Sequence, residues 1–476
     1  MDNFSNPFLL HLLKINQNLA ALSICDKQYS YYDLLHKTKE SINIINDIKQ
    51  GSVIAIIGDF SLDCISMILA GLNNNLVIAP LMDNNEVDSK LEAGEIDYVY
   101  KNNKITKLEN KKSKNTLFNK LDNNAGLLIF SSGSTGKPKA ILHNLNIYLK
   151  QYLNKRQKPI NSLAMLMFDH IGGLNTMFSC LSMGANLIIP QNRKNPYEIA
   201  SLIEKYKISL LPTNPTMLNL LLISGATKQF NLNSLRLITY GTESMNPSLL
   251  NRLKKEFINT RFKQSFGTSE IGIAKSSGEL LINILDMDYK IIDNELFIKS
   301  KTQSLGYLNA SNAAFGEDGY FATGDLVEII NKDDKQYIKI IGRKKELINV
   351  GGEKVFPNEV ENIILEIPFI QDCICYGEKN NITNQSVVVK VATKSNLSNL
   401  ELKKEIRKYC KNKLANYKIP TKIIKVDSIL TTNRLKKDRY GGGTSHKTHK
   451  NNKNLNNIIY YHESINLKSL YSTKAA

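Results

Sequence analysis

At 476 residues with 42% apolar side chains, the chain is too long for one ordinary domain and long enough to bury substantial cores. It has no uninterrupted apolar run of ~18 residues, and its amino terminus, MDNFSNPFLL, lacks a basic segment leading into an apolar one, so neither a membrane span nor a secretory signal is expected. The net charge of +18 fits attraction to a polyanion, but it fits equally a composition rich in Lys, Asn and Ile; no nucleic-acid-binding motif occurs, and no nucleic-acid partner is expected.

In chain order, residues 1–341 alternate apolar bursts with amphipathic stretches. Val53 to Ala70 begins as a buried strand and is broken by Asp59 and Asp63. Leu127-Leu128-Ile129-Phe130 and Asn186-Leu187-Ile188-Ile189 read as further buried strands, and Ile199 to Tyr206 and Ser248 to Phe257 as helices. The expectation is an α/β fold: a large N-terminal domain, 1–341, built of layered α/β subdomains. Residues 342–440 read as a small α+β domain, with a helix from Pro357 to Ile367 and a strand from Ser386 to Val391. This part is basic, with 20 Lys and Arg against 11 Asp and Glu. The six cysteines, Cys25, Cys64, Cys180, Cys373, Cys375 and Cys410, form no CxxC pair. That argues against a zinc knuckle and for reduced thiols in a cytoplasmic protein. Residues 441–476 open on three glycines and continue rich in Lys, Asn, His and Ser, which reads as a disordered tail; His446, His449 and His462 do not match a compact ligand set.

The segment Ser131-Ser132-Gly133-Ser134-Thr135-Gly136-Lys137-Pro138-Lys139 follows an apolar strand. Small residues let backbone N–H groups approach phosphate, hydroxyls add donors and lysines add charge. It is not a Walker A loop, because Ser131 stands where that pattern needs its first Gly and Pro138 where it needs Ser or Thr. Four more segments follow in order: Phe266-Gly267-Thr268-Ser269-Glu270, Thr323-Gly324-Asp325, Gly342-Arg343 running on to Gly351-Gly352-Glu353-Lys354-Val355, and Thr432-Asn433-Arg434-Leu435-Lys436. Together the five resemble the motifs of the adenylate-forming superfamily, which includes acyl-CoA synthetases, adenylation domains of peptide synthetases and luciferases. The resemblance covers roughly residues 25–440.

The resemblance implies that the small domain is mobile and that ATP lies between the two domains. The loop from Ser131 to Lys139, including Gly133, Gly136 and Lys137, would surround the phosphates, with Ser132, Ser134, Thr135 and Lys139 holding the β- and γ-phosphates. Glu270 would ligate Mg²⁺. Tyr240-Gly241-Thr242-Glu243, Phe266, Gly267 and Thr268 would line the adenine side, Phe266 replacing a usual tyrosine, while Asp325 and Arg343 would hold the ribose side. Lys436 would neutralise the reacting anions during adenylation, although Leu435 stands where the family has glycine and Lys437 is adjacent. Lys345 would be the hinge, and Gly351 and Gly352 would approach the thiol's tunnel. Phe168-Asp169-His170-Ile171-Gly172-Gly173 resembles the acyl-pocket motif, with His170 beside the substrate carboxylate and Gly172 and Gly173 in the wall. Asp169 leaves open a grip on an amino acid's ammonium group.

The implied activity is activation of a small carboxylic acid with ATP to an acyl-adenylate, followed by thioester formation with coenzyme A. One alternative sends the acyl or amino acid to a phosphopantetheine carrier protein. A second is a non-catalytic basic relative that binds nucleotide or nucleic acid, favoured by the charge and by the departures Ala140, Phe266 and Leu435.

Overall fold

The computed structural model describes residues 4–109, 114–132, 137–332, 334–432 and 436–439. Gly133, Ser134, Thr135 and Gly136 of the phosphate loop, the motif positions Asn433, Arg434 and Leu435, and the tail 441–476 lie outside the described residues.

The run from Val53 divides as its two aspartates suggest. Val53–Ile57 is a strand with all five side chains buried. Ser61 then caps the helix Leu62–Asn73 by accepting from Cys64 N at 3.1 Å. Three later helices start with Asn-Pro. Asn195, Asn214 and Asn246 each accept hydrogen bonds from the first-turn amides, and Pro196, Pro215 and Pro247 open the helices that follow. Asn satisfies otherwise orphaned donors, and Pro sits where no N–H is needed. The helix expected to run to Ile367 ends at Ile364; Pro368 disfavours helical geometry at the residue before it.

Two seven-stranded sheets build the large domain. The first runs Arg261–Gln264, Leu237–Tyr240, Leu210–Thr213, Asn161–Leu163, Asn186–Ile189, Ala20–Ile24, Lys27–Ser30, and is parallel up to its last hairpin. The second runs Gly306–Tyr307, Pro138–Asn144, Gly126–Ser132, Val77–Leu81, Val53–Ile57, Tyr98–Lys101, Lys104–Lys107, with a parallel centre and antiparallel edges. One apolar core draws on both sheets and on the helices Tyr31–Ile44, Leu62–Asn73 and Ile171–Ser182, which therefore lie between them. The other face of the first sheet packs on Pro196–Lys205, Pro215–Ser224 and Pro247–Glu256. Arg193, beyond a strand of one sheet, pairs with Asp59, beyond a strand of the other, through two nitrogens at 2.5 and 3.0 Å. A four-stranded antiparallel sheet, Asp288–Ile292, Glu295–Lys299, Phe321–Lys332 and Lys335–Arg343, completes this domain.

The short turn Lys344–Glu346 leads from the last of these strands to the small domain, whose first strand is Ile348–Val350. Its sheet centres on the long hairpin Ile370–Asn380 and Asn384–Thr393, and it packs with the helices Pro357–Ile364 and Asn399–Lys411 around one core. Cys373 and Cys375 lie in that core, as expected of an apolar strand. Among the described residues no helix is long and apolar enough to cross a membrane.

Candidate active site

The phosphate motif forms an antiparallel hairpin. Gly126–Ser132 pairs with Pro138–Asn144, Ser131 opposite Lys139 and Ser132 opposite Pro138. Asn309 fixes the returning strand: its amide donates to Pro138 O at 2.8 Å and its oxygen accepts from Ala140 N at 2.9 Å. Tyr307, on the edge strand beside it, lies under Lys139, whose Nζ is 5.1 Å from the ring centroid. The Tyr307 hydroxyl donates to Glu270 Oε1 at 2.9 Å. Burial, then the Glu270 carboxylate, holds this phenol far above its usual pKa, so it remains a donor.

Glu270 is thereby joined to the phosphate hairpin. Its own turn is built by Thr268 Oγ1, which accepts from Glu270 N at 3.2 Å and Ile271 N at 3.3 Å. His143, buried on the hairpin, sits behind it: Nε2 is 2.7 Å from Ser269 O and Nδ1 is 3.3 Å from Thr302 O. Burial pushes the His143 pKa down despite these carbonyls and Glu270. The neutral ring has one N–H, and the shorter contact assigns it to Nε2. Among the described residues no three His, Cys, Asp or Glu side chains gather as a metal cage. A single carboxylate beside a phosphate loop nevertheless suits Mg²⁺, which keeps waters and takes phosphate oxygens.

An aromatic chain connects this corner to the strand that carries Asp325. Tyr307 meets Phe315 at 5.5 Å between centroids, and Phe315 meets Phe321 at 4.9 Å. The strand beginning at Phe321 carries Asp325, opposite Arg343, with Arg343 Nε 2.9 Å from Asp325 Oδ1. The Asp325 side chain is 5% exposed and that of Arg343 44%. Burial raises the Asp325 carboxyl above its usual pKa against the pull of Arg343.

In the segment Tyr240 to Glu243 the two longest side chains are engaged within the protein. The Tyr240 side chain is fully buried in the core, and its hydroxyl donates to Glu279 O, so it offers no surface to a nucleotide. The Glu243 carboxylate is engaged elsewhere: Thr216 Oγ1 donates to one oxygen at 2.6 Å and Lys437 N to the other at 2.8 Å. Phe266 is buried with Ile271, Ile282 and Ile298. Gly267 has a steric reason of its own, since a Cβ there would stand 2.4 Å from Gly272 O.

On the acyl side His170 caps the helix Ile171–Ser182, its Nδ1 accepting from Gly172 N at 3.1 Å. Nδ1 is thus unprotonated, and the neutral ring carries its proton on Nε2. Gly173 serves packing: a Cβ would lie 2.0 Å from Met167 O. Asp169 Oδ2 is 3.4 Å from Lys90 Nζ, a lysine only 2% exposed. A carboxylate already facing a buried cation is poorly suited to grip an ammonium group.

The two described ends of the late motif, Thr432 and Lys436, are bonded to each other. Thr432 N donates to Lys436 O at 2.8 Å, and Lys436 N to Thr432 Oγ1 at 3.3 Å. Lys437, the neighbour open to confusion with Lys436, is committed to the small domain, its Nζ donating to Asp372 Oδ1 at 2.5 Å and Cys373 O at 3.0 Å. Lys345 is exposed in the connecting turn. Gly351 and Gly352 take φ of +62° and +95°, and a Cβ on either would meet nothing within 4 Å. Sequence reading missed Tyr307, Asn309, His143 and Lys90, all of which act through partners distant in the chain.

Comparisons with known proteins agree with this geometry. The family model for AMP-binding enzymes matches residues 15–290, and that for the AMP-binding enzyme C-terminal domain matches 359–437. A 2-succinylbenzoate–CoA ligase of Staphylococcus epidermidis is 25% identical over 474 residues, covering 91% of this chain and 96% of the relative. One from Staphylococcus aureus is 28% identical over 347 residues, 68% of each. Among solved structures, an anthranilate CoA ligase bound to anthranoyl-AMP superposes with a TM-score of 0.75 at 18% identity, over 92% of this chain and 96% of the other. The o-succinylbenzoate CoA synthetase of Bacillus subtilis with its acyl-adenylate gives 0.72 at 19% identity, over 94% and 99%. The chain belongs to the AMP-binding enzyme family.

Proposed function

We propose that this chain is an AMP-forming acid–coenzyme A ligase whose acid is a benzoate bearing a second carboxylate, of the 2-succinylbenzoate kind. The observation that carries the reaction is the joining of Glu270 through Tyr307 and Lys139 to the phosphate hairpin. The substrate class is supported by the relatives' specificity and by Lys155. This lysine donates to Ser179 Oγ at 2.8 Å on the helix that His170 caps. Burial lowers its pKa, and Lys275 and Lys263 lower it further. A half-buried ammonium among other cations is stabilised by an incoming carboxylate.

In the first step a carboxylate oxygen of the acid bonds to the α-phosphorus of ATP as the bond to the β-phosphate oxygen breaks, releasing pyrophosphate. Lys139 and the hairpin hold the phosphates, Asp325 accepts from the ribose hydroxyls, and His170 donates from Nε2 to the acid's carboxylate. Lys436 offsets the negative charge that gathers at the α-phosphate. Glu270 would hold Mg²⁺, which when bound neutralises the phosphate oxygens. In the second step the thiolate sulfur bonds to the acyl carbon and the bond to AMP breaks. The small domain's net charge of +9 favours the approach of the coenzyme A phosphates. It favours an acidic carrier protein as well, and thiol exchange with each acceptor separates the two.

The test is pyrophosphate release with 2-succinylbenzoate, benzoate, 2-aminobenzoate and malonate. 2-Succinylbenzoate is expected to turn over fastest, and Lys155→Ala to raise its KM about tenfold while leaving that of benzoate unchanged. Release with none of these acids from folded protein contradicts the ligase reading, and an equal effect of Lys155→Ala on both aromatic acids contradicts the second carboxylate.

A further inference from the structure

The hairpin carrying Lys436 is held from two sides. On the small-domain side the Lys437 ammonium is bound by Asp372 and the Cys373 carbonyl. Two residues on, Arg439 donates to Cys375 O at 2.9 Å and Asn358 Oδ1 at 2.8 Å, and it pairs with Glu361. These bonds travel with the small domain whatever its orientation. On the large-domain side the Lys437 backbone N–H donates to Glu243 Oε1 at 2.8 Å.

Glu243 is itself fixed. Its other oxygen accepts from Thr216 Oγ1 at 2.6 Å. It follows Thr242, whose φ of +68° is strained for a β-branched residue. It also follows Gly241, where a Cβ would stand 3.0 Å from Ser265 O. Among the described residues, and apart from the connecting turn where Lys344 pairs with Glu295 at 2.9 Å, the other hydrogen bonds between the lobes are neutral: Asn246 to Asn362 at 2.6 Å, Asn358 to Ser244 at 3.2 Å, Ser248 to Leu365 O at 3.3 Å and Asn219 to Gln371 O at 3.3 Å. A bond to an ionised carboxylate is the stronger kind, and this one lies one residue from Lys436.

We propose that Glu243 is the latch that docks the Lys436 hairpin on the large domain during adenylation and lets go before the thiol step. It is a positioning residue, acting through the Lys437 amide. The proposal rests on the reading of Lys436 as the adenylation lysine.

Single-turnover rates of the two half-reactions test it in the full chain. One is adenylate formation from ATP and 2-succinylbenzoate; the other is thioester formation from supplied 2-succinylbenzoyl-adenylate and coenzyme A. Glu243→Ala is expected to shift the ratio of the rates about tenfold against adenylation. Glu243→Gln, whose amide oxygen still accepts from Lys437 N, recovers most of that loss, and Thr216→Val gives a smaller shift in the same direction. A ratio unchanged from the wild type, or equal loss in Glu243→Ala and Glu243→Gln, overturns the latch. Hydrogen exchange at the Lys437 amide needs no acid and separates a wrong substrate from a wrong latch. Faster exchange in Glu243→Ala supports the latch, and unchanged exchange overturns it even if 2-succinylbenzoate is inert.

Discussion

Tyr307 and His143 show how much of this site rests on single side chains that hold Glu270 and its turn. Removing the Tyr307 hydroxyl takes a 2.9 Å bond from Glu270. Tyr307→Phe should therefore slow adenylation about tenfold in a pyrophosphate-release assay, with the ring's stacking against Lys139 and Phe315 preserved. His143 makes a prediction in pH. Burial depresses its folded-state pKa, so the unfolded chain takes up a proton first on acidification. The stability it contributes is present above the unfolded value and is lost as pH falls through the folded one. Melting temperature should then fall between about pH 7 and pH 5.5, and less steeply in His143→Gln. Equal slopes would show that this imidazole does not govern the acid limb. The two adjacent lysines should also part company. Lys437→Ala breaks a largely buried pair with Asp372 and should cost about 2–3 kcal/mol in denaturant unfolding, whereas Lys436→Ala should abolish adenylation.

Elements differ in how plainly the sequence announces them. The parallel strands Val53–Ile57 and Asn186–Ile189 were legible because both their faces are buried and every residue but Asn186 is apolar. The Asn-Pro helix starts carry their own signal. Two-residue strands such as Gly306–Tyr307 have no periodicity to read; this one exists because Pro138–Asn144 offers it an edge. The acyl-pocket motif was legible as a pattern, but its parts have separate causes: His170 caps a helix, Gly173 admits the Met167 carbonyl, and Asp169 faces Lys90, 79 residues away. No local pattern reports a pairing across that distance. Gly173→Ala should accordingly destabilise the fold by at least about 2 kcal/mol in chemical unfolding, beyond any effect on the acid. The place of the Tyr240 ring follows from alternation along Leu237–Tyr240, which sends it into the core beneath the segment it precedes.

At the scale of the molecule, two lobes are joined by the turn Lys344–Glu346 and by a few polar bonds around the start of the helix Pro247–Glu256. An interface in which neutral amides and hydroxyls accompany the Glu243 carboxylate is suited to being broken and remade, as a ligase with two chemically different steps requires. Lys437 and Glu243 meet across it, one residue from Lys436. The most direct test of the whole account is a balance of products from ATP, 2-succinylbenzoate and coenzyme A, with AMP, pyrophosphate and acyl-thioester measured together in wild type and Lys436→Ala. The account predicts equimolar AMP, pyrophosphate and thioester from the wild type and none of the three from the variant. ADP in place of AMP, or undiminished AMP and thioester from Lys436→Ala, would contradict it.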